Sequence, residues 1–104
     1  MAEIDVERLA AELATAEPVL LDVREDWELA ICSLPGAQHI PLGELPARHA
    51  ELNRERRTIV ICHHGVRSQV AQAFLLERGF QEVINLAGGI DAWARRVDPE
   101  MSLY

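Results

Sequence analysis

Cys62-His63-His64-Gly65-Val66-Arg67, followed at once by Ser68, holds the residue types in this chain best placed to do chemistry. The stretch lies between an apolar run, Thr58-Ile59-Val60-Ile61, and a segment with helical spacing. A strand that ends in a cysteine and feeds a short loop into a helix N-terminus makes an anion cradle. The loop's backbone N–H groups converge there, and the positive end of the helix dipole points at the same spot. A thiol so placed is favoured as thiolate, its nucleophilic form. The pattern points to sulfur or oxyanion chemistry at Cys62.

Each residue of the stretch has a chemical reading and a plainer one. Cys62 is either the nucleophile or a buried structural thiol, and its place at a strand-to-loop junction favours the first. Arg67 can hold an oxyanion or ease formation of a thiolate by its fixed charge, whereas a merely superficial arginine at a helix start would sit against the dipole. His63 and His64 either move protons and bind anions or only lend backbone N–H groups; the sequence leaves both open. Gly65 supplies a backbone conformation that a Cβ would hinder. Ser68 reads as the helix cap, with a second role as a donor to sulfur. Adjacent histidines with no evident third ligand do not make a metal site, and no metal or other cofactor is expected. Cys32, thirty positions from Cys62, is either a resolving thiol or a small buried hydrophobe, the second being the simpler reading.

Several elements must carry these residues. Asp5 caps a helix with Val6, Leu9, Ala10 and Leu13 on one face. Pro18 ends that segment and opens a buried strand, Val19-Leu20-Leu21-Asp22-Val23. Glu25 to Ile31 has room for two helical turns, Leu34-Pro35-Gly36-Ala37 is a turn, and His39-Ile40-Pro41 is extended. Gly43 to Leu52 reads as a helix with Leu45 and Leu52 inward. Thr58 to Ile61 is a strand, and Ser68 to Arg78 a helix with a Val70, Ala71, Phe74, Leu75 stripe that Gly79 closes. Glu82 to Leu86 is a strand, Gly88-Gly89 turns into a short helix through Trp93, and Asp98 to Tyr104 is an extended end. Strands alternating with helices imply a parallel sheet covered on both faces. Ligands bind such sheets beyond the carboxyl ends of the strands, so the segments after Asp22, Ile61 and Leu86 should share one rim.

Size and charge narrow the class. A chain of 104 residues is one domain, spanning residues 1–104, and buries roughly two-thirds of its unfolded surface. The formal charge of −7 argues against nucleic-acid binding. Two cysteines make no disulfide framework, the first residues lack the features of a secretory signal, and no apolar run is long enough for a bilayer. A cytoplasmic setting without nucleic-acid or membrane partners is the expectation.

Four blocks in order, Leu20-Leu21-Asp22-Val23-Arg24, Leu34 to Pro41, the Cys62 loop, and Asn85 to Trp93, resemble a single rhodanese domain over nearly the whole chain. The resemblance implies an α/β rhodanese-like fold, a five-stranded parallel sheet with helices on both faces. It implies sulfane-sulfur transfer through a persulfide on Cys62, with Arg67 as its catalytic companion. The binding loop is then His63, His64, Gly65 and Val66 with Ser68, and Asp22 and Arg24 brace it. The implied partners are a small sulfur-containing donor and, on the acceptor or donor side, a sulfur-carrier protein or a cysteine desulfurase. Members that use thiosulfate well usually carry a basic residue inside the loop, where this chain has His63 and His64. Ser33 and Cys32 also replace the histidine and glycine common before the Pro-Gly-Ala turn. Two other readings compete: a non-catalytic rhodanese-like binding or regulatory module, and a cysteine-based phosphatase or arsenate reductase. Related phosphatases have a loop one residue longer, which argues against the last.

Overall fold

Thr58–Ile61 is the middle strand of the sheet, and its side chains alternate between two apolar layers. Ile59 and Ile61 join one cluster; Val60 and, just beyond the strand, Cys62 join the other. A period of two therefore sends the cysteine to one defined face. The computed structural model describes residues 1–104.

In chain order the elements are β1 (Glu3–Ile4), α1 (Val6–Leu13), β2 (Val19–Asp22), α2 (Asp26–Ile31), β3 (Gln38–His39), α3 (Leu45–Arg48), β4 (Thr58–Ile61), α4 (Arg67–Glu77), β5 (Val83–Leu86) and α5 (Gly89–Arg96). Single 3-10 turns, Leu42–Glu44 and His49–Glu51, flank α3. All five strands are parallel, in the order β1-β5-β4-β2-β3. Leu21 lies beside Val60, and Asp22 beside Ile61, so the ends of β2 and β4 reach the rim together.

One apolar layer packs residues of α1 and α5, including Val6, Leu9, Ile90 and Trp93, on the sheet. The other packs Leu45, Leu52, Ala71 and Leu75 from the α3 region and α4. Truncating a buried side chain such as Ile59 to alanine costs about 2–5 kcal/mol in cores of this kind. Asp5 accepts from the Arg8 N–H at 2.8 Å and caps α1, as its spacing predicts.

Several expectations need correction. Glu3–Ile4 is a strand, too short to leave a periodic signal, paired with Asn85 and Leu86. The helix expected over Gly43–Leu52 is one turn of α-helix between two 3-10 turns; Leu45 and Leu52 still point inward. Val70 is exposed rather than part of the inward stripe, because α4 buries Ser68, Ala71, Gln72 and Leu75. Gln72 earns its inward place by donating to the carbonyls of Ala2 and Val83. The end expected to be extended turns at Asp98, where the Met101 N–H bonds the Asp98 carbonyl, and brings Tyr104 back over the rim.

Candidate active site

Cys62 follows β4 directly and is 1% exposed, roofed by the loop that leads into α4. Its Sγ accepts the Gly65 N–H at 3.0 Å and lies 3.3 Å from Ser68 Oγ. Gly65 reaches this position at φ +101°, with Gly88 N and Leu86 O close to where a Cβ would stand. The loop is pinned from outside as well. Ile90 N–H donates to the Cys62 carbonyl at 2.9 Å, and Asp91 N–H to the His63 carbonyl at 3.0 Å. Gly89, at φ +61°, permits that approach, since a Cβ there would lie 2.5 Å from the Cys62 carbonyl oxygen. The segments after β4 and β5 thus share one rim, as the topology requires.

Ser68 does not cap α4. The helix begins one residue earlier, with Val66 at the cap position and no side-chain cap, so the Ser68 hydroxyl turns inward. It donates a short hydrogen bond to Asn85 Oδ1, and Asn85 Nδ2 in turn donates to the Gly65 carbonyl at 3.3 Å. A hydroxyl has one proton. While Ser68 gives it to Asn85, the neutral thiol can donate to Ser68 Oγ; once the sulfur is anionic, the same hydroxyl can rotate and donate to it.

Arg67 is held by α2. Its two terminal nitrogens meet the Glu28 carboxylate oxygens at 2.6 and 2.7 Å. This pairing raises Arg67 above its ordinary range and holds the Glu28 carboxyl at about 2, with the Arg67 hydrogen bonds outweighing the opposing effect of burial. The carboxylate also offsets the unfavourable meeting of a guanidinium with a helix start. Glu28 Oε1 additionally accepts the Glu25 N–H at 3.0 Å, tying the carboxylate to the start of its own helix.

Asp22 and Arg24 form a fully buried ion pair at 2.7 Å. Arg24 Nε donates to Asp22 Oδ1 at 2.9 Å, Nη2 to the Cys32 carbonyl at 2.8 Å, and Nη1 to the Tyr104 hydroxyl at 2.9 Å. Burial works against the guanidinium, but the bonds to Asp22 and Tyr104 more than compensate and keep it charged. The pair therefore braces α2 and the segment after α5, which touch the loop in turn, rather than the loop itself.

His63 is half-buried with its ring between two others: Tyr104 stacks on it at 3.8 Å and 7°, and His64 at 3.9 Å and 33°. Desolvation and the neighbouring His64 lower its basicity. His64 is exposed, with Nδ1 3.9 Å from Asp91 Oδ2, and Val66 is exposed on the outer side of the loop. His63, His64 and Asp91 each offer a ligand atom within 4.8 Å of the others. Asp91, a third group beside the histidine pair that the sequence does not reveal, is also paired with Arg95 at 3.0 Å. Cys32 is a free, half-buried thiol packed against the core, its Sγ 3.9 Å from Arg24 Nη1.

A family model described as Rhodanese-like domain matches residues 5–96. This chain belongs to the rhodanese-like family. It is 43% identical over 94 residues to a protein named Sulfurtransferase from Allochromatium vinosum, covering 89% of this chain and 88% of that one. It is 37% identical over 97 residues to the Putative sulfur carrier protein YrkF of Bacillus subtilis, of which it spans about half, 52%. Among solved structures, a Rhodanese-like Domain Protein from Staphylococcus aureus superposes with a TM-score of 0.86 at 30% identity, over 100% of this chain and 99% of that one. The rhodanese-like fold and its five-stranded parallel sheet are therefore as the four sequence blocks imply.

Within this rhodanese-like domain three residues matter that the motif blocks did not mark as functional. Asn85 is a polar residue in an otherwise apolar strand, a signal that it has a buried partner. Glu28 stands three residues after Glu25, the spacing of a capping box. Tyr104 carries no local signal; only the fold brings it to Arg24 and Glu28.

Proposed function

We propose that the protein is a sulfurtransferase that carries a sulfane sulfur as a persulfide on Cys62. The observation that carries this reading is the setting of Cys62 Sγ, with the Gly65 N–H donated to it at 3.0 Å and the Ser68 hydroxyl at 3.3 Å. Both groups favour negative charge on Sγ, which it carries when it attacks the donor and again when it leaves as the outer sulfur is taken. The name of the Allochromatium relative supports the same class of reaction.

In the first half-reaction the Cys62 thiolate attacks the outer sulfur of a donor. With thiosulfate the S–S bond breaks and sulfite leaves; with a low-molecular-weight persulfide a thiolate leaves. In the second half-reaction a nucleophile takes the outer sulfur and Cys62 is restored as thiolate. With cyanide the product is thiocyanate; a thiol or a protein acceptor would become a persulfide. Val66 and His64, exposed on the loop, face whatever approaches, and the Gly65 N–H with Ser68 holds the charge.

Arg67 acts here as a fixed charge behind the loop, because Glu28 occupies both of its terminal nitrogens. With that charge already balanced and no other arginine or lysine in the loop, a dianionic donor gains little. Persulfide donors, including the persulfide of a cysteine desulfurase, are therefore the favoured substrates over thiosulfate. A sulfur-carrier protein fits the acceptor side. The two free thiols suit a reducing, cytoplasmic setting.

The test is cyanolysis. Protein treated with glutathione persulfide or thiosulfate and then cyanide should release thiocyanate, faster after the persulfide, and Cys62→Ser should release none. Release unaffected by that substitution would overturn the reading, and faster turnover with thiosulfate would overturn the donor preference.

A further inference from the structure

The segment after α5 returns over the rim, where Met101 and Tyr104 pack on the edge of one apolar layer and Tyr104 makes a further set of polar and ring contacts. The Tyr104 hydroxyl donates to Glu28 Oε2 at 2.6 Å and accepts from Arg24 Nη1 at 2.9 Å. Its ring stacks on His63 at 3.8 Å and meets the Trp27 ring edge-on at 5.9 Å. One side chain thereby joins the end of β2, the middle of α2 and the residue immediately after Cys62. Through Glu28 it also reaches Arg67, the first residue of α4.

These contacts bear on geometry at sulfur. The loop between His63 and Arg67 carries the Gly65 N–H that is donated to Cys62 Sγ. Its backbone is fixed on one side by the Ile90 and Asp91 N–H groups. On the other side the His63 side chain rests on Tyr104, and Arg67 rests on the carboxylate that Tyr104 orients. A phenol is well suited to this: its flat face packs on imidazole while its hydroxyl both donates and accepts. The Tyr104 hydroxyl bonds Arg24 and Glu28 rather than Cys62, so it acts through its neighbours.

We propose that Tyr104 is a positioning residue for sulfur transfer, clamping both ends of the Cys62 loop so that the Gly65 N–H stays aimed at the sulfur. This rests on the sulfurtransferase reading for its catalytic consequence, but the clamp itself is measurable without any sulfur donor. A change far from the reacting atoms that misplaces a group by about 1 Å can slow an enzyme about a hundredfold.

The experiment compares wild type, Tyr104→Phe, Tyr104→Ala and, as a neighbouring control, Leu103→Ala. Two measurements are made on the unmodified proteins: the NMR shifts of the His63 ring protons, which the Tyr104 ring current moves upfield, and hydrogen exchange of the Gly65 amide. A third is steady-state sulfur transfer to cyanide. Tyr104→Ala should lose the His63 ring-current shift, exchange the Gly65 amide about tenfold faster, and lower kcat about tenfold with little change in donor KM. Tyr104→Phe should keep the ring-current shift and fall between, about threefold down in kcat, because it loses only the hydroxyl's bonds. Leu103→Ala should match wild type in all three.

If Tyr104→Ala leaves the His63 shifts and Gly65 exchange unchanged, the proposal is overturned, whatever the kinetics. It is overturned equally if those signals move while kcat stays within twofold of wild type. A wild-type protein that transfers no sulfur would instead retract the sulfurtransferase reading, and with it the catalytic part of the proposal; the His63 and Gly65 signals would still decide whether Tyr104 clamps the loop.

Discussion

Glu28 takes both terminal nitrogens of Arg67, at 2.6 and 2.7 Å, so the loop's one arginine is already matched by a carboxylate from another element. Two parallel bonds fix the guanidinium plane, which a single point contact would not do. Glu28 is nearly fully buried and Arg67 partly exposed, so the pair lies at the boundary of the site. Glu28→Gln keeps the shape and removes the charge. It should lower stability by about 1.5–3 kcal/mol, the range for hydrogen bonds to charged groups, as read from denaturant unfolding. Equal stability of the two proteins would show that the pair contributes nothing.

The same carboxylate sets an acid response. The Arg67 hydrogen bonds hold Glu28 at about 2 in the folded protein, below its ordinary 4.5. A group whose folded value is depressed stabilises the fold fully above the unfolded value, and that contribution is lost as pH falls toward the folded value. Wild type should therefore lose stability between about pH 4.5 and 2 more steeply than Glu28→Gln. Parallel stability profiles across that window would contradict the assignment.

Ser68 and Asn85 form the polar support behind the sulfur. Ser68→Ala removes a donor available to anionic sulfur and should slow sulfur uptake by Cys62 at least about tenfold. Asn85→Asp places a carboxylate where the amide oxygen now accepts, which would retain the Ser68 proton and should slow uptake further. Stopped-flow loading with a persulfide measures both; an Asn85→Asp rate above that of wild type would refute the relay.

Arg24 is fully buried beside Asp22 and spends its donors on four partners: Asp22, the Glu28 and Cys32 carbonyls, and the Tyr104 hydroxyl. Arg24→Ala leaves a buried carboxylate unpaired and should cost about 3–5 kcal/mol. The double variant Arg24→Ala with Asp22→Ala should recover part of that loss, because the stranded charge goes with it. Additive losses in thermal or denaturant unfolding would mean that the two do not act as a pair.

Much of this site was legible as sequence because it is local. Cys62, Gly65 and Arg67 fall within one short stretch directly after the apolar run Thr58–Ile61. Gly88-Gly89 marks the turn into α5, and Gly89 there lies against the Cys62 and His63 carbonyls. The rest depends on contacts distant in sequence. Ser68 looked like a cap because serine before a helical run usually is one, but starting α4 a residue earlier turned its hydroxyl toward Asn85. The resemblance has Asp22 and Arg24 brace the loop; the two instead pair with each other, and the guanidinium reaches Cys32 and Tyr104 rather than the loop. Two-residue strands such as β1 leave no period to read, and Val70 fitted a helical stripe that the sheet then declined to cover.

The most direct measurement is the intact mass of the protein after treatment with a persulfide or thiosulfate and removal of excess donor. Sulfur transfer through Cys62 predicts one added sulfur atom on wild type, located to the Cys62 peptide, reversed by cyanide and absent from Cys62→Ser. No added sulfur from either donor, or an addition that persists in Cys62→Ser, would contradict it.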